Sequence, residues 1–459
     1  MPEGTLVVSV ASDPKVSKPS PVGFTHQLLM WACDRRPPIV GTVCLVASGM
    51  AYSLGWGPLV RHHPYWVTPG PIWDTYRSTE ELIWGNLGGI YAVHPALVTF
   101  PGILLVLAPC VWLCQHLGLH GSFPFAVAHP GSWLLVGPWS MLVASSALFA
   151  LDRLMREANA ALWRRMALGG FAAVVLFPVV VLWGHPEDAL AVALLAWALS
   201  ASLGGRSVVA GWLAGLAIAV QPLVLLVVAL VLLRELPRRW PGMLTRMALP
   251  SAALVSVPLA AHFHRTWQSI SAQPNYPAID HPTPLLAFAT RLAPERYPGA
   301  VRLVASGHGL KEVAAHVASQ PVVAAGPLRS VALLCALAVA LAAWRWRREW
   351  LDDMSVLAWL GAVGFSLRII FEPVMDPFYV WPALAFVLLA AALAGGWIRI
   401  GAVAAVAVVV SVVAEWHLSP WGYWAPVVAL LILALVLSAP QRGLSSRGGR
   451  DRQVQLARA

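Results

Sequence analysis

Asp74 is a candidate general base by its position in the chain. It follows the first long apolar run by about 16 residues and stands between aromatic residues, in the segment Trp73-Asp74-Thr75-Tyr76. A carboxylate partly shielded from water can accept a proton during a reaction if its pKa suits the task. The alternative interpretation is structural: Asp74 precedes a helix-compatible stretch, Thr75 to Trp84, and would cap its N-terminus.

A second polar group is the sequence His185-Pro186-Glu187-Asp188, which we predict to form a tight turn between two apolar runs. A histidine and two carboxylates within four residues can position a sugar or a phosphate. The alternative is that they are ordinary turn residues at a membrane boundary. A metal ion would need a third ligand at workable geometry, and the sequence offers none, so we expect no metal site.

A third group lies between two late apolar runs. Arg368 follows 14 apolar residues and precedes Glu372, Asp376 and Tyr379. An ionisable group at the end of a membrane span is a functional candidate, and a guanidinium binds phosphate well. The sequence therefore suggests that Arg368 holds a lipid phosphate with Glu372 or Asp376 as its partner. The alternative is that Arg368 only extends its charge to the membrane surface.

The segment 263–329 supplies further polar candidates. Planar polar groups and aromatic rings bind sugars, and Arg or His binds phosphate. We therefore single out His264, Asn275 and His281, with Tyr76 and Tyr379 as aromatic candidates. For any one of the loop residues, a solvated surface position is the alternative.

The elements that must position these residues are membrane helices. Charged residues make up 11% of the 459 residues, against roughly 25% in soluble proteins, and 58% are hydrophobic. This composition excludes a soluble enzyme and a nucleic-acid-binding protein, and the long apolar runs exclude an outer-membrane barrel. We predict twelve spans, in the following runs: 38–57, 133–151, 167–184, 189–203, 208–220, 223–233, 246–262, 330–346, 354–367, 379–396, 400–414 and 422–439. The runs 208–220 and 223–233 flank Gln221-Pro222 and are short enough to form one broken hairpin.

The distribution of basic residues orients these spans. If the apolar run 99–117 lies in the outer interface or re-enters, 22 of the 31 Lys and Arg residues fall on the cytoplasmic side. Every histidine except His26 then falls outside, and both termini are cytoplasmic. We thus predict a cytoplasmic segment 1–37, a membrane domain 38–440 and a basic cytoplasmic tail 441–459. Two outer loops, 58–132 and 263–329, exceed what a connection needs, which is typical of functional loops.

Several of these segments, in this order, resemble a known family. They are Asp74-Thr75-Tyr76, Thr99-Phe100-Pro101, Leu107-Ala108-Pro109, the turn 184–188, the small-residue helix 210–217, and Arg368, Pro377 and Tyr379. The pattern resembles the polyprenol-phosphate-sugar-dependent glycosyltransferases of the GT-C superfamily, and most nearly the bacterial mannosyltransferases that include enzymes of phosphatidylinositol mannoside synthesis. Two positions depart from it: Gln221-Pro222 replaces a Lys-Pro step, and Phe100-Pro101-Gly102 replaces a doubled proline.

The resemblance implies an all-α polytopic fold with about 11–12 transmembrane helices and two large outward-facing loops. It implies an inverting, metal-independent transfer of a sugar, mannose being the expected one, from a polyprenyl-phosphate donor to a glycolipid or cell-envelope glycan. The reaction would take place at the outer face of a bacterial inner membrane, with Asp74 as base, no other cofactor and no nucleic acid partner. A secondary transporter and a non-catalytic envelope-assembly protein remain the alternatives.

Overall fold

The computed structural model describes residues 30–53, 69–93, 97, 99–119, 133–272, 274–275, 282–292, 322–324, 326–416 and 419–440. Residues 1–36 and 37–459 form two separate units, and all elements of the candidate site belong to the second. The predicted tail 441–459 and most of the predicted segment 1–37 lie outside the described residues.

The described chain is mostly helical. Its helices are α1 (Arg36–Ser53), α2 (Pro69–Ile83), α3 (Ile90–Val93), α4 (Gly102–His116), α5 (Trp133–Glu157), α6 (Leu162–Phe177), α7 (Pro186–Leu203), α8 (Ser207–Val220), α9 (Leu225–Arg234), α10 (Trp240–Ala272), α11 (Gly326–Trp346), α12 (Met354–Phe371), α13 (Trp381–Ala394), α14 (Trp397–Ala414) and α15 (Pro420–Ser438). A π-helical turn, Pro178–Leu182, prolongs α6, and 3₁₀ turns precede several helices.

Nine helices within the described residues are long and apolar enough to cross a membrane. They coincide with nine of the twelve predicted runs, so the chain is a multi-pass helical membrane protein. The other three runs also form helices: α1, which is 18 residues long, and the shorter pair α8 and α9. The predicted break at Gln221-Pro222 is present, because Gln221 ends α8 in an extended conformation and a 3₁₀ turn follows.

The first predicted outer loop contains helices. Helix α2 begins at Pro69, so Asp74 lies inside the helix and the interpretation of Asp74 as an N-terminal cap is wrong. Helix α4 has 15 residues, about 22 Å at 1.5 Å per residue, which is less than the roughly 30 Å hydrocarbon core. This length favours the interfacial or re-entrant placement of the run 99–117.

The second predicted loop is shorter than 263–329. Helix α10 continues to Ala272, with one non-helical residue at His262, and α11 begins at Gly326. Between them lies a small antiparallel sheet in the order β1 (Pro274–Asn275), β3 (Val322–Ala324), β2 (Thr290–Leu292). The fold is therefore not strictly all-α.

Helix α13 lies at the centre of the bundle. It packs against α6, α12, α14 and α15, and 89% of the residues in the segment Pro377–Ala394 are buried. Six of its 14 residues, in the sequence WPALAFVLLAAALA, are alanine. In a membrane the hydrophobic effect does not drive helices together, and small residues stabilise their association by letting the backbones approach closely. The alanine content therefore suits a central helix.

Candidate polar site at one end of the bundle

The turn between α6 and α7 carries buried polar residues. Gly184 has a φ of 64°, a left-handed conformation that glycine adopts easily, and α7 begins at Pro186. Glu187 and Asp188 therefore lie in the first turn of α7, where the helix dipole favours negative charge. His185 Nδ1 lies 2.5 Å from Glu187 Oε1, and its ring stacks on Phe378 with centroids 3.8 Å apart.

The environment of His185 shifts its pKa in two directions. Burial lowers the pKa of the imidazole, but the carboxylates of Glu187, Asp188 and Asp376 raise it more, so the net shift is upward from the ordinary value. The turn thus holds the proton of His185 more tightly than a free imidazole in water holds its proton.

The break between α8 and α9 reaches the same turn. Gln221 Nε2 donates to Asp188 Oδ1 over 2.8 Å, and Asp188 Oδ2 lies 4.0 Å from Arg368 Nη1. Neither Asp188 Oδ2 nor Arg368 Nη1 has a hydrogen-bond partner among the described residues, although both atoms are buried. The guanidinium of Arg368 lies 3.5 Å from the centre of the Tyr379 ring, a cation–π contact.

Arg368 shares a second carboxylate with another arginine. Arg329 donates to Glu372 through Nε and Nη2 at 2.6 to 3.2 Å, while Arg368 Nε lies 3.7 Å from Glu372 Oε2. This contact agrees with the pairing of Arg368 and Glu372 suggested from the sequence. Arg329 was missed there, although an arginine at the start of the apolar run 330–346 is itself the signal of an ionisable group in a span.

A cavity of about 250 Å³ opens beside the two arginines. Its polar lining comes from Gln221, Ser271, Arg329, Ser330, Arg368 and Glu372. Its other walls are largely apolar and come from α9, α10, α11 and α12: Leu225, Leu226, Ile270, Ala332, Leu333 and Phe371. The cavity therefore combines a charged end with apolar helix faces.

The same end of the bundle holds a carboxylate that the sequence analysis missed. Glu415 follows α14, and both of its oxygens accept from Trp183 Nε1, at 2.9 and 3.1 Å. Burial raises the pKa of Glu415 to about 7, although the hydrogen bond from Trp183 lowers it in part. The Trp183 ring lies 5.9 Å from Phe378, which connects this group to His185.

The structure brings five of the predicted residues together: His185, Glu187, Asp188, Arg368 and Tyr379. Two predicted residues lie elsewhere. Tyr76 is buried close to Cys110 and Cys114 of α4, and burial raises the pKa of its hydroxyl. His264 is exposed next to Phe263. His281 and the side chains of Asp74 and Asn275 lie outside the described residues.

Within the described residues no group of three or more His, Cys, Asp or Glu side chains could hold a metal ion. No family model matches the chain, and the search of curated proteins found no significant match.

Proposed function

We propose that the protein is a membrane glycosyltransferase that moves a sugar, mannose in the first instance, from a polyprenyl-phosphate donor to a glycolipid or cell-envelope glycan at the outer face. The observation that carries this proposal is Arg368 Nη1, a buried donor without a hydrogen-bond partner among the described residues, in a side chain that lines the cavity. An unsatisfied buried donor is unfavourable by about 1 to 3 kcal/mol, and a phosphate oxygen would satisfy it.

The surroundings of Arg368 suit this role. Tyr379 and Glu372 fix the orientation of the guanidinium, so little side-chain freedom is lost when a ligand binds. Arg329 is already engaged bidentately by Glu372. A sugar phosphodiester carries a single negative charge, and it therefore matches one available guanidinium better than a phosphate of higher charge would. The apolar walls of the cavity suit the adjoining lipid tail.

The chemistry would be a single displacement. Asp74 takes the proton of an acceptor hydroxyl as its oxygen attacks the anomeric carbon. The bond from that carbon to the phosphate oxygen breaks, and polyprenyl phosphate leaves with the electron pair while Arg368 holds it. One base and one good leaving group invert the anomeric configuration, so no second catalytic carboxylate is required.

Arg368→Gln tests the phosphate site. With purified protein, a radiolabelled polyprenyl-phosphate sugar and membrane lipid acceptors, the donor KM should rise at least tenfold because a charge-assisted hydrogen bond is lost. Arg368→Lys should recover only part of the loss, because lysine lacks the planar fork. Arg348→Gln, an exposed arginine of the opposite end, is the matched control. An unchanged donor KM in Arg368→Gln would disprove the phosphate site.

Asp74→Asn tests the base in the same assay. Transfer should be abolished while donor binding persists, and unchanged transfer would reject the assignment. If the unmodified protein transfers sugar from no polyprenyl-phosphate donor, the enzymatic proposal fails as a whole.

A secondary transporter is the second candidate. It is favoured by buried carboxylate oxygens without hydrogen-bond partners among the described residues, Glu187 Oε2 and Asp188 Oδ2, within the first turn of a spanning helix. Ionisable groups in such positions bind coupling ions in transporters. Proton-driven solute uptake into proteoliposomes, lost in Asp188→Asn, would support this candidate over the enzyme.

A further inference from the structure

Glu415 is a carboxylate whose surroundings do not neutralise it. It is half-buried, and no ion pair involves it among the described residues. Within the described part of the chain, the hydrogen bonds to its carboxylate come from the indole of Trp183 alone. A shielded carboxylate without a cationic partner is unfavourable, so the fold keeps Glu415 at this position against its own stability.

The hydrogen-bonding capacity of Glu415 is largely unused. An ionised carboxylate offers about four lone-pair sites, and here a single N–H group occupies both oxygens. The side chain can therefore accept further hydrogen bonds, and hydroxyl groups are the neutral donors that match it.

Aromatic side chains surround the carboxylate of Glu415. Trp183 is partly exposed, and the side chain of Tyr52 lies within electrostatic range of the carboxylate. The Tyr52 ring in turn meets Phe177 edge-on, with centroids 6.0 Å apart. Partly exposed rings around a hydrogen-bond acceptor suit a ligand with C–H faces and hydroxyl edges, which is the surface of a pyranose ring.

We propose that Glu415 and Trp183 form a hydroxyl-binding subsite for the carbohydrate acceptor. The assignment rests on the proposed glycosyltransferase function. It places the acceptor at a different set of side chains from the donor phosphate, because neither Glu415 nor Trp183 lines the cavity beside Arg368. Phe378 links the acceptor group to the polar turn, since its ring contacts both Trp183 and His185.

The subsite has a pH signature. The ionised carboxylate is the stronger acceptor and accepts fully at both oxygens, and the pKa of Glu415 is about 7. The acceptor KM should therefore fall as the pH rises through about 7. Because the Trp183 hydrogen bond lowers this pKa, Trp183→Phe should move the midpoint upward, and Glu415→Gln should abolish it.

The experiment measures acceptor KM, donor KM and kcat across pH 5.5 to 8.5. Glu415→Gln should raise the acceptor KM at pH 8 about tenfold and leave the donor KM within twofold, while Glu415→Asp should recover part of the loss. Glu349→Gln and Trp416→Phe, an exposed glutamate of the opposite end and an exposed tryptophan next to Glu415, are the controls. An acceptor KM in Glu415→Gln equal to that of the unmodified protein, with no change in its pH dependence, would overturn the subsite.

A binding measurement separates failure of the subsite from failure of the enzyme. Saturation-transfer NMR with methyl α-mannoside should give signals for the unmodified protein that decline in Glu415→Gln and Trp183→Ala. If no transfer is found but these signals appear and depend on Glu415, the subsite stands and the transferase proposal fails. If transfer occurs and these signals are absent or independent of Glu415, the subsite alone is wrong.

Discussion

The charged side chains at the polar end of the bundle are paired, so a substitution at one of them also changes the environment of its partners. Glu372 is buried between the guanidinium groups of Arg329 and Arg368. Removal of one partner of a buried ion pair leaves an uncompensated charge, which destabilises a protein by about 3 to 5 kcal/mol. Variants of Glu372 should therefore be interpreted as folding variants first, whereas Arg368 can be tested by its conservative replacement with lysine.

His185 should make stability depend on pH. Its pKa is raised in the folded protein, chiefly by Glu187 against the effect of burial. The folded state then binds the proton more tightly than the unfolded state, so the stabilisation is complete below about pH 6.5 and is lost as the pH rises through the folded pKa. We expect the Tm of the detergent-solubilised protein to fall on this rise, and to fall less in His185→Asn.

Glu415 also makes the protein less stable as the pH rises, but over a lower pH range than His185. Its pKa of about 7 exceeds the ordinary value of 4.5, so stability is lost between about pH 4.5 and 7. Glu415→Gln therefore serves as the comparison, because it should flatten the lower range and leave the range above pH 7 unchanged. A Tm of His185→Asn that follows the unmodified protein at every pH would contradict the role assigned to His185.

At the scale of helices, close backbone contacts set the arrangement around the site. A Cβ atom on Gly215 of α8 would lie 2.4 Å from the carbonyl oxygen of Arg246 in α10. A Cβ on Gly102 of α4 would lie 2.4 Å from the carbonyl oxygen of Ala219, at the end of α8. These contacts hold α4 and α10 against α8. Helix α8 ends directly before Gln221, so they also help to position the Gln221 side chain that donates to Asp188.

Gly215→Ala should destabilise the protein by about 1 to 3 kcal/mol, because backbone atoms of two helices must separate. The measurement is thermal or denaturant unfolding in detergent. Gly401→Ala in α14 is the matched control, since a Cβ there meets no atom within 4 Å. The control should be neutral or more stable by up to about 1 kcal/mol, because alanine favours the helix. Equal stability of the two variants would refute a tight α8–α10 contact.

At the scale of the whole molecule, the two ends of the bundle differ in their charges. One end carries Arg165 paired with Asp152 at 2.7 and 3.0 Å, with Arg156 close by. The other end carries the cluster of His185, Asp188 and Arg368. A surplus of arginine on short loops marks the cytoplasmic side of a membrane protein, and the proposed function accordingly predicts that the cluster faces outward.

Sidedness can be measured by cysteine labelling. In a background with the five native cysteines replaced, we expect Ser419→Cys to react with an impermeant maleimide on intact cells and Glu349→Cys to react only after permeabilisation. Both positions are exposed and lie at opposite ends of the described bundle. Labelling of both from the same side would invalidate the inferred orientation and, with it, an outward-facing transferase.

The class of fold and most of the spans can be read from the apolar runs. Runs of about 20 apolar residues have few alternatives to a membrane helix, because backbone groups in lipid must be satisfied within the segment. Local turn chemistry also revealed the break at Gln221-Pro222 and the turn at His185. The start of α2 before Asp74, the extension of α10 and the small sheet were not foreseen, because packing and cross-chain pairing override local propensity at element ends.

Which polar residues contact one another depends on how the helices pack. Asp188, Gln221, Arg329 and Arg368 lie on four different helices or turns, up to 180 positions apart, and no periodicity in one segment encodes a contact with another. Burial is also a property of the packed structure. In the sequence Glu415 resembles any acidic residue at the end of a span, and only the fold places it against the Trp183 indole. The types of the side chains are written in the sequence, but their charges, distances and partners follow from how the helices pack.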